Sequence, residues 1–139
     1  MLRSSTVVGA LVLALAAACG QGDEGEKEAA GKDCGPGPAA MAGKPTLPPR
    51  FPTPDGVRYT SDREAGPSRI VDGFREGELD EAFEAYKDGF EGAGYDVTKD
   101  EKEEVDAEVN FEGGSSTGQV KLVQECRDRT KITVTIRPE

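Results

Sequence analysis

The apolar period changes once along this chain, and the change fixes what it can fold into. Leu79, Phe83, Tyr86 and Phe90, with Ala82, recur at spacings of three and four, which places them on one stripe of a helix. Asp80, Glu81, Glu84, Lys87, Asp88 and Glu91 fall on the opposite, solvent side. After Gly92 and Gly94, which offer the left-handed geometry that ends a helix, the period drops to two. Tyr95 and Val97, then Val105, Ala107, Val109 and Phe111, then Val120, Leu122 and Cys126, then Ile132, Val134 and Ile136 each line one face of a strand with polar residues between. Gly113 to Gly118 and Arg127 to Thr130 interrupt that pattern and mark reversals. Ahead of the helix, Val57–Thr60 and Ser68–Phe74 read as two further strands around Arg63–Pro67.

The expected fold is therefore α+β. A single amphipathic helix lies on one face of an antiparallel sheet of about five to six strands, in the order β-β-α-β-β-β-β, behind a disordered N-terminal linker. The other sheet face would collect Asp106, Glu108, Asn110, Lys121, Val123, Glu125, Lys131, Thr133, Thr135 and Arg137. That mixture is expected to be a wet surface with cross-strand polar pairs.

Composition separates this domain, residues 56–139, from what precedes it. Between residues 19 and 55 lie seven of the nine prolines, many glycines, and only Met41, Leu47 and Phe51 as large apolar residues. The reading is a spacer, with the acidic stretch Asp23–Glu28 solvated and extended and the Pro45–Pro54 stretch favouring polyproline II.

Residues 1–18 carry Arg3 followed by the apolar run Val7–Leu15, too short to span a bilayer as a stable helix and shaped as a secretory signal. Leu15-Ala16-Ala17-Ala18-Cys19-Gly20 resembles the lipobox of bacterial lipoprotein precursors, with Ala16 where leucine is preferred. The resemblance implies cleavage before Cys19, a diacylglyceryl group on its sulfur, and anchoring in the lipid bilayer at the extracytoplasmic face of the cell membrane. Gly20 differs from the aspartate that retains such proteins at the inner membrane of two-membrane bacteria. The alanine, glycine and acidic richness is similar to that of small lipoproteins of high-GC Gram-positive bacteria, a resemblance that lends no function.

With Cys19 acylated, Cys34 and Cys126 have one intramolecular pairing open to them, and an exported chain is expected to form that disulfide. Removing residues 1–18 takes one positive charge, Arg3, from a chain of net charge −10, leaving −11. So acidic a surface repels phosphate backbones, which argues against nucleic acid as a partner. A charged protein partner, another envelope protein for instance, would present basic groups.

The chain contains no histidine, which removes Ser-His-Asp and Cys-His nucleophile activation from within it. Gly114-Ser115-Ser116-Thr117-Gly118 matches G-x-S-x-G but joins two strands, whereas a nucleophile elbow joins strand to helix. Gly37–Lys44 is one residue too long for a phosphate loop, and Pro45 replaces the required hydroxyl. Asp96, Asp100, Glu101, Glu103, Glu104 and Asp106 cluster near a strand connection without the register of a calcium loop. No catalytic residue, cofactor or metal site is expected, and the chain reads as a non-enzyme. The leading expectation is a membrane-anchored interaction or structural module of the cell envelope. A small ligand- or cation-binding protein, or an inhibitor or accessory subunit of an envelope enzyme, is the alternative.

Overall fold

The structure is a computed structural model and describes residues 22–139; Cys19 and the signal segment lie outside the described residues. A helix, α1 (Gly22–Ala30), precedes two strands, β1 (Val57–Ala65) and β2 (Ser68–Glu76). The long helix α2 (Leu79–Gly92) follows, and then β3 (Asp96–Lys102), β4 (Asp106–Gly113), β5 (Ser116–Cys126) and β6 (Arg129–Pro138). The six strands form one antiparallel sheet in the spatial order β1-β2-β6-β5-β4-β3. The domain has the architecture its periodicity implies, with α2 packed across one face.

This topology sets a task for α2, which must carry the chain from β2, near one edge, to β3 at the other. Fourteen residues of helix reach about 21 Å, close to the width of four strands spaced about 4.8 Å apart. Leu79, Ala82, Phe83, Tyr86 and Phe90 are all buried beneath it, against Val109, Phe111, Val120, Leu122, Ile132 and Val134 from the sheet. No side chain of the helix or its N-cap closes the first turn. Instead Gln124 Oε1 on β5 accepts from the Leu79 amide at 2.7 Å, so the sheet supplies the cap.

The far end closes as a Schellman motif. The Tyr95 amide donates to the Phe90 carbonyl at 2.9 Å and the Gly94 amide to Glu91 at 3.2 Å, with Gly94 at φ 82°. The Tyr95 and Phe90 rings, 5.5 Å apart, supply the apolar contact that accompanies such a stop. Of the two glycines expected to end the helix, Gly94 does so; Gly92 is its last helical residue.

Two expectations about alternation need correction. Cys126 does not share a face with Val120 and Leu122, because the β5–β6 register shifts between Gln124 and Cys126. Gln124 stands opposite Thr130 on the helix side, and Cys126 stands opposite Arg129 on the other side. The stretch from Asp23 to Glu28 is not extended: it lies within α1, beside β5. Glu, Lys and Ala are strong helix formers, and the Lys27–Glu104 pair at 3.0 Å and Lys32–Glu28 at 3.4 Å offset the repulsion among its carboxylates.

Candidate functional site

The residues between α1 and β1 are not a free spacer. They form a strap that starts on the outer sheet face, passes round the edge strand β1, and ends beside α2. Its first anchor is the disulfide between Cys34 and Cys126, 92 residues apart with Cα atoms 5.3 Å from one another. Around it, Arg127 donates to the Gly31 carbonyl and pairs with Asp33 at 2.7 Å, while its amide donates to Lys32. Arg129, buried despite its charge, donates to the Gly35 carbonyl at 2.7 Å, meets Glu76 at 3.3 Å, and lies over the Phe74 ring. Phe74 points to the outer face through its register with Lys131, yet it is buried, because the strap at Gly37 covers it.

The strap then bonds the free edge of β1, where the Met41 amide donates to the Tyr59 carbonyl at 2.9 Å. This covers an edge that would otherwise present open backbone groups. Further on, the Thr46 amide donates to Asp62 at 2.7 Å, and Asp62 also accepts from Arg69. Pro48 to Phe51 make a reverse turn, closed by the Phe51 amide on the Pro48 carbonyl, with Arg50 in the left-handed region at φ 62°. The Arg50 guanidinium donates to the Ala93 carbonyl at the end of α2. The turn delivers Phe51 into the core, edge-on to Phe90 and Phe111 at 5.3 Å each and to Tyr95 at 6.2 Å. Pro52 rests on Gly89, where an added Cβ would stand 2.7 Å from the proline ring. Gly89 therefore lets the strap approach α2 closely.

Asp62 yields a pH prediction. Burial works against its charge, but the Thr46 amide and the Arg69 guanidinium more than offset this, so its carboxyl titrates below the ordinary value of 3.8. A carboxylate depressed in the fold contributes stability above its unfolded value and loses it as pH falls through the folded one. Urea denaturation repeated from neutral pH downward should show the wild type losing stability below about pH 4. Asp62→Asn should be less stable at neutral pH, with a shallower acid dependence; parallel curves would remove Asp62 from the account.

Between the strap and β1 lies an open cavity of about 450 Å³, with Met41, Pro45, Leu47 and Tyr59 among its walls. The Tyr59 hydroxyl stands 3.3 Å from Thr53 Oγ1. Behind it, the Tyr86 hydroxyl is buried and, among the described residues, makes no well-formed hydrogen bond; burial first, and then the adjacent Tyr59, push its ionisation well above the ordinary tyrosine value. Lys44 and Arg58 stand at this cavity.

The other sequence features resolve into structure. Ser116 opens β5 after the two-residue turn Gly114-Ser115, a strand-to-strand hairpin whose central residues both have positive φ. Gly37–Lys44 is part of the strap and no helix follows it. Within the acidic cluster, Asp100 pairs with Lys87 at 3.2 Å, Glu101 with Lys99 at 3.5 Å and Glu104 with Lys27. Among the described residues, no group of three or more His, Cys, Asp or Glu stands where it could hold a metal ion. The outer sheet face is laced by polar bonds, including Gln119 to Glu108 and Thr133 to Asp72, both at 3.1 Å. Among the described residues, no helix is long and apolar enough to cross a membrane.

The sequence reading missed the strap because its three apolar residues have no period; the one available signal was that Met41, Leu47 and Phe51 interrupt an otherwise polar stretch. No protein-family model, curated protein sequence or solved structure matches the chain.

Proposed function

We propose that the chain is a lipid-anchored protein of the extracytoplasmic face of the cell membrane, with a folded body that serves as a non-catalytic interaction module of the envelope. The observation that carries this reading is the Cys34–Cys126 disulfide. A cross-link of this kind belongs to chains folded in an oxidising compartment, and it leaves Cys19 as the one remaining cysteine of three. That cysteine sits behind a signal-like run, where a lipobox thiol would be acylated. Two acyl chains suffice for stable attachment, since each buried methylene contributes about 0.8 kcal/mol.

The anchor would be short. The nine residues of α1 rise only about 14 Å along its axis, and residues 31–35 directly after it are fixed to the β5–β6 hairpin. The body would therefore ride close to the bilayer, with its acidic surface turned to basic groups of neighbouring envelope proteins.

Expression in a lipoprotein-processing bacterium should give an amino-terminal peptide that starts at Cys19 and carries the mass of a diacylglyceryl group. The protein should partition with membranes, and Cys19→Ala should move essentially all of it to the soluble fraction. An unmodified Cys19, or wild-type protein recovered free in the medium, would sink the anchoring. The interaction role is tested by cross-linking in intact cells: a partner bound through the folded body should be captured equally by variants that keep the fold, and failure to capture any envelope protein counts against the role.

A further inference from the structure

The cavity between the strap and β1 has the size and lining of a small-molecule site. Its volume of about 450 Å³ falls within the usual range of ligand pockets, and apolar side chains with a few polar groups are the usual lining. It is built by residues far apart in sequence: Met41, Pro45 and Leu47 come from the strap, whereas Tyr59 comes from the first strand of the sheet. Those residues are held in place, because the Met41 amide is bonded to Tyr59 and the Thr46 amide to Asp62.

Three features of its polar groups point to the ligand. First, Lys44 from the strap and Arg58 from the outer-face side of β1 both border the cavity, and among the described residues neither makes an ion pair or a side-chain hydrogen bond. In a chain of net charge −10, a cavity bordered by two cations and by no carboxylate favours an anion. Second, the Tyr59 hydroxyl in its wall makes a long 3.3 Å contact with Thr53 and, with one donor and two acceptor positions, keeps hydrogen-bonding capacity. Third, the Tyr86 hydroxyl is wholly buried and, among the described residues, has no well-formed hydrogen bond, with the Tyr59 hydroxyl its nearest polar neighbour. A guest carboxylate that accepts the Tyr59 proton would leave the Tyr59 oxygen to accept from Tyr86.

From this juxtaposition we infer that the strap cavity binds a small amphipathic anion, a monocarboxylate with an apolar body. The apolar part lies against Met41, Pro45 and Leu47, and the carboxylate is met by Lys44 and Arg58. A cation would face two like charges, and a neutral hydrocarbon would leave both cations unused. The inference is independent of the anchor, since it concerns only residues of the folded body.

Methionine methyl labelling gives a direct readout, because the chain has two methionines, Met1 and Met41, and Met41→Leu identifies the cavity signal by its loss. Octanoate titrated into the full chain should shift the Met41 methyl resonance saturably. Acetate, which lacks the apolar body, and octylammonium, which reverses the charge, should each bind at least about tenfold more weakly, as expected when a charge-assisted contact or the buried chain is lost. Lys44→Gln combined with Arg58→Gln, two exposed positions, should weaken octanoate about tenfold while leaving the melting temperature unchanged. The proposal is overturned if octanoate gives no saturable shift by about 10 mM, the weak end of measurable affinity. It is equally overturned if octylammonium matches octanoate, or if the double variant binds octanoate as the wild type does.

Discussion

Reduction of the Cys34–Cys126 disulfide, or its replacement by serines, is expected to cost about 4–5 kcal/mol, the largest single loss available to this chain short of breaking its core. The bond joins residues 92 apart, so it removes a long loop's worth of conformational freedom from the unfolded chain. For a domain of this size the loss corresponds to a fall in melting temperature of roughly 20 °C or more. Urea denaturation of the oxidised protein, the reduced protein and the Cys34→Ser/Cys126→Ser variant measures it. The reduced protein and the variant should agree with each other, and a loss below about 1 kcal/mol would contradict the chain-entropy account.

The same experiment has a structural arm. Arg127 and Arg129 hold Gly31, Lys32, Asp33 and Gly35 through bonds that do not involve sulfur. The attachment of residues 31–35 should therefore persist in the variant without the disulfide, with hydrogen exchange quickening across residues 31–37 before it does so in β5 and β6. The Gly35 contact is made by the nearly buried Arg129 guanidinium, whose charge Glu76 and Glu125 flank at 3.3 and 3.9 Å. Leaving that charge buried without its carboxylates would be costly, which explains why the strap, Arg129 and Phe74 pack as one unit.

What the sequence made legible is the part of the molecule in which each residue's partner is periodic. The α2 stripe and the alternation in β4, β5 and β6 have one buried face each, so period alone assigns Leu79, Val109, Val120 and Val134 to the interior. The spatial order of strands was not legible, since nothing local tells β6 to insert between β2 and β5. Period misleads at Cys126, where a bulge at Glu125 turns the following residue to the other face. It is silent at Met41, Leu47 and Phe51, which meet the core from an aperiodic segment and look like linker until the surface they cover is known. The candidate cavity was illegible for the same reason, as its two walls come from opposite sides of the boundary that composition suggests. The disulfide follows from counting cysteines once Cys19 is set aside, and Arg127 and Arg129, which surround it, carried no signal of their own.

Phe51→Ala tests whether the strap belongs to the folding unit or merely lies on it. A ring in edge contact with Phe90, Phe111 and Tyr95 contributes both buried area and aromatic geometry, the latter about 0.5–1.5 kcal/mol per favourable pair. Full truncation of a core phenylalanine costs about 3–5 kcal/mol, and because Phe51 is half-buried the lower end applies, about 3 kcal/mol. Phe51→Leu keeps most of the apolar area and loses only the ring contacts, so it should cost about 1 kcal/mol. Local effects should track the global ones. With the ring gone, the turn at the left-handed Arg50 keeps only polar bonds, from Arg50 to Ala93, from the Phe51 amide to Pro48 and from the Tyr95 hydroxyl to Pro49, so amide exchange at Phe51 and at Met41 should accelerate by more than the change in global stability alone requires. A cost under about 0.5 kcal/mol would mean that the Phe51 ring contributes no core packing.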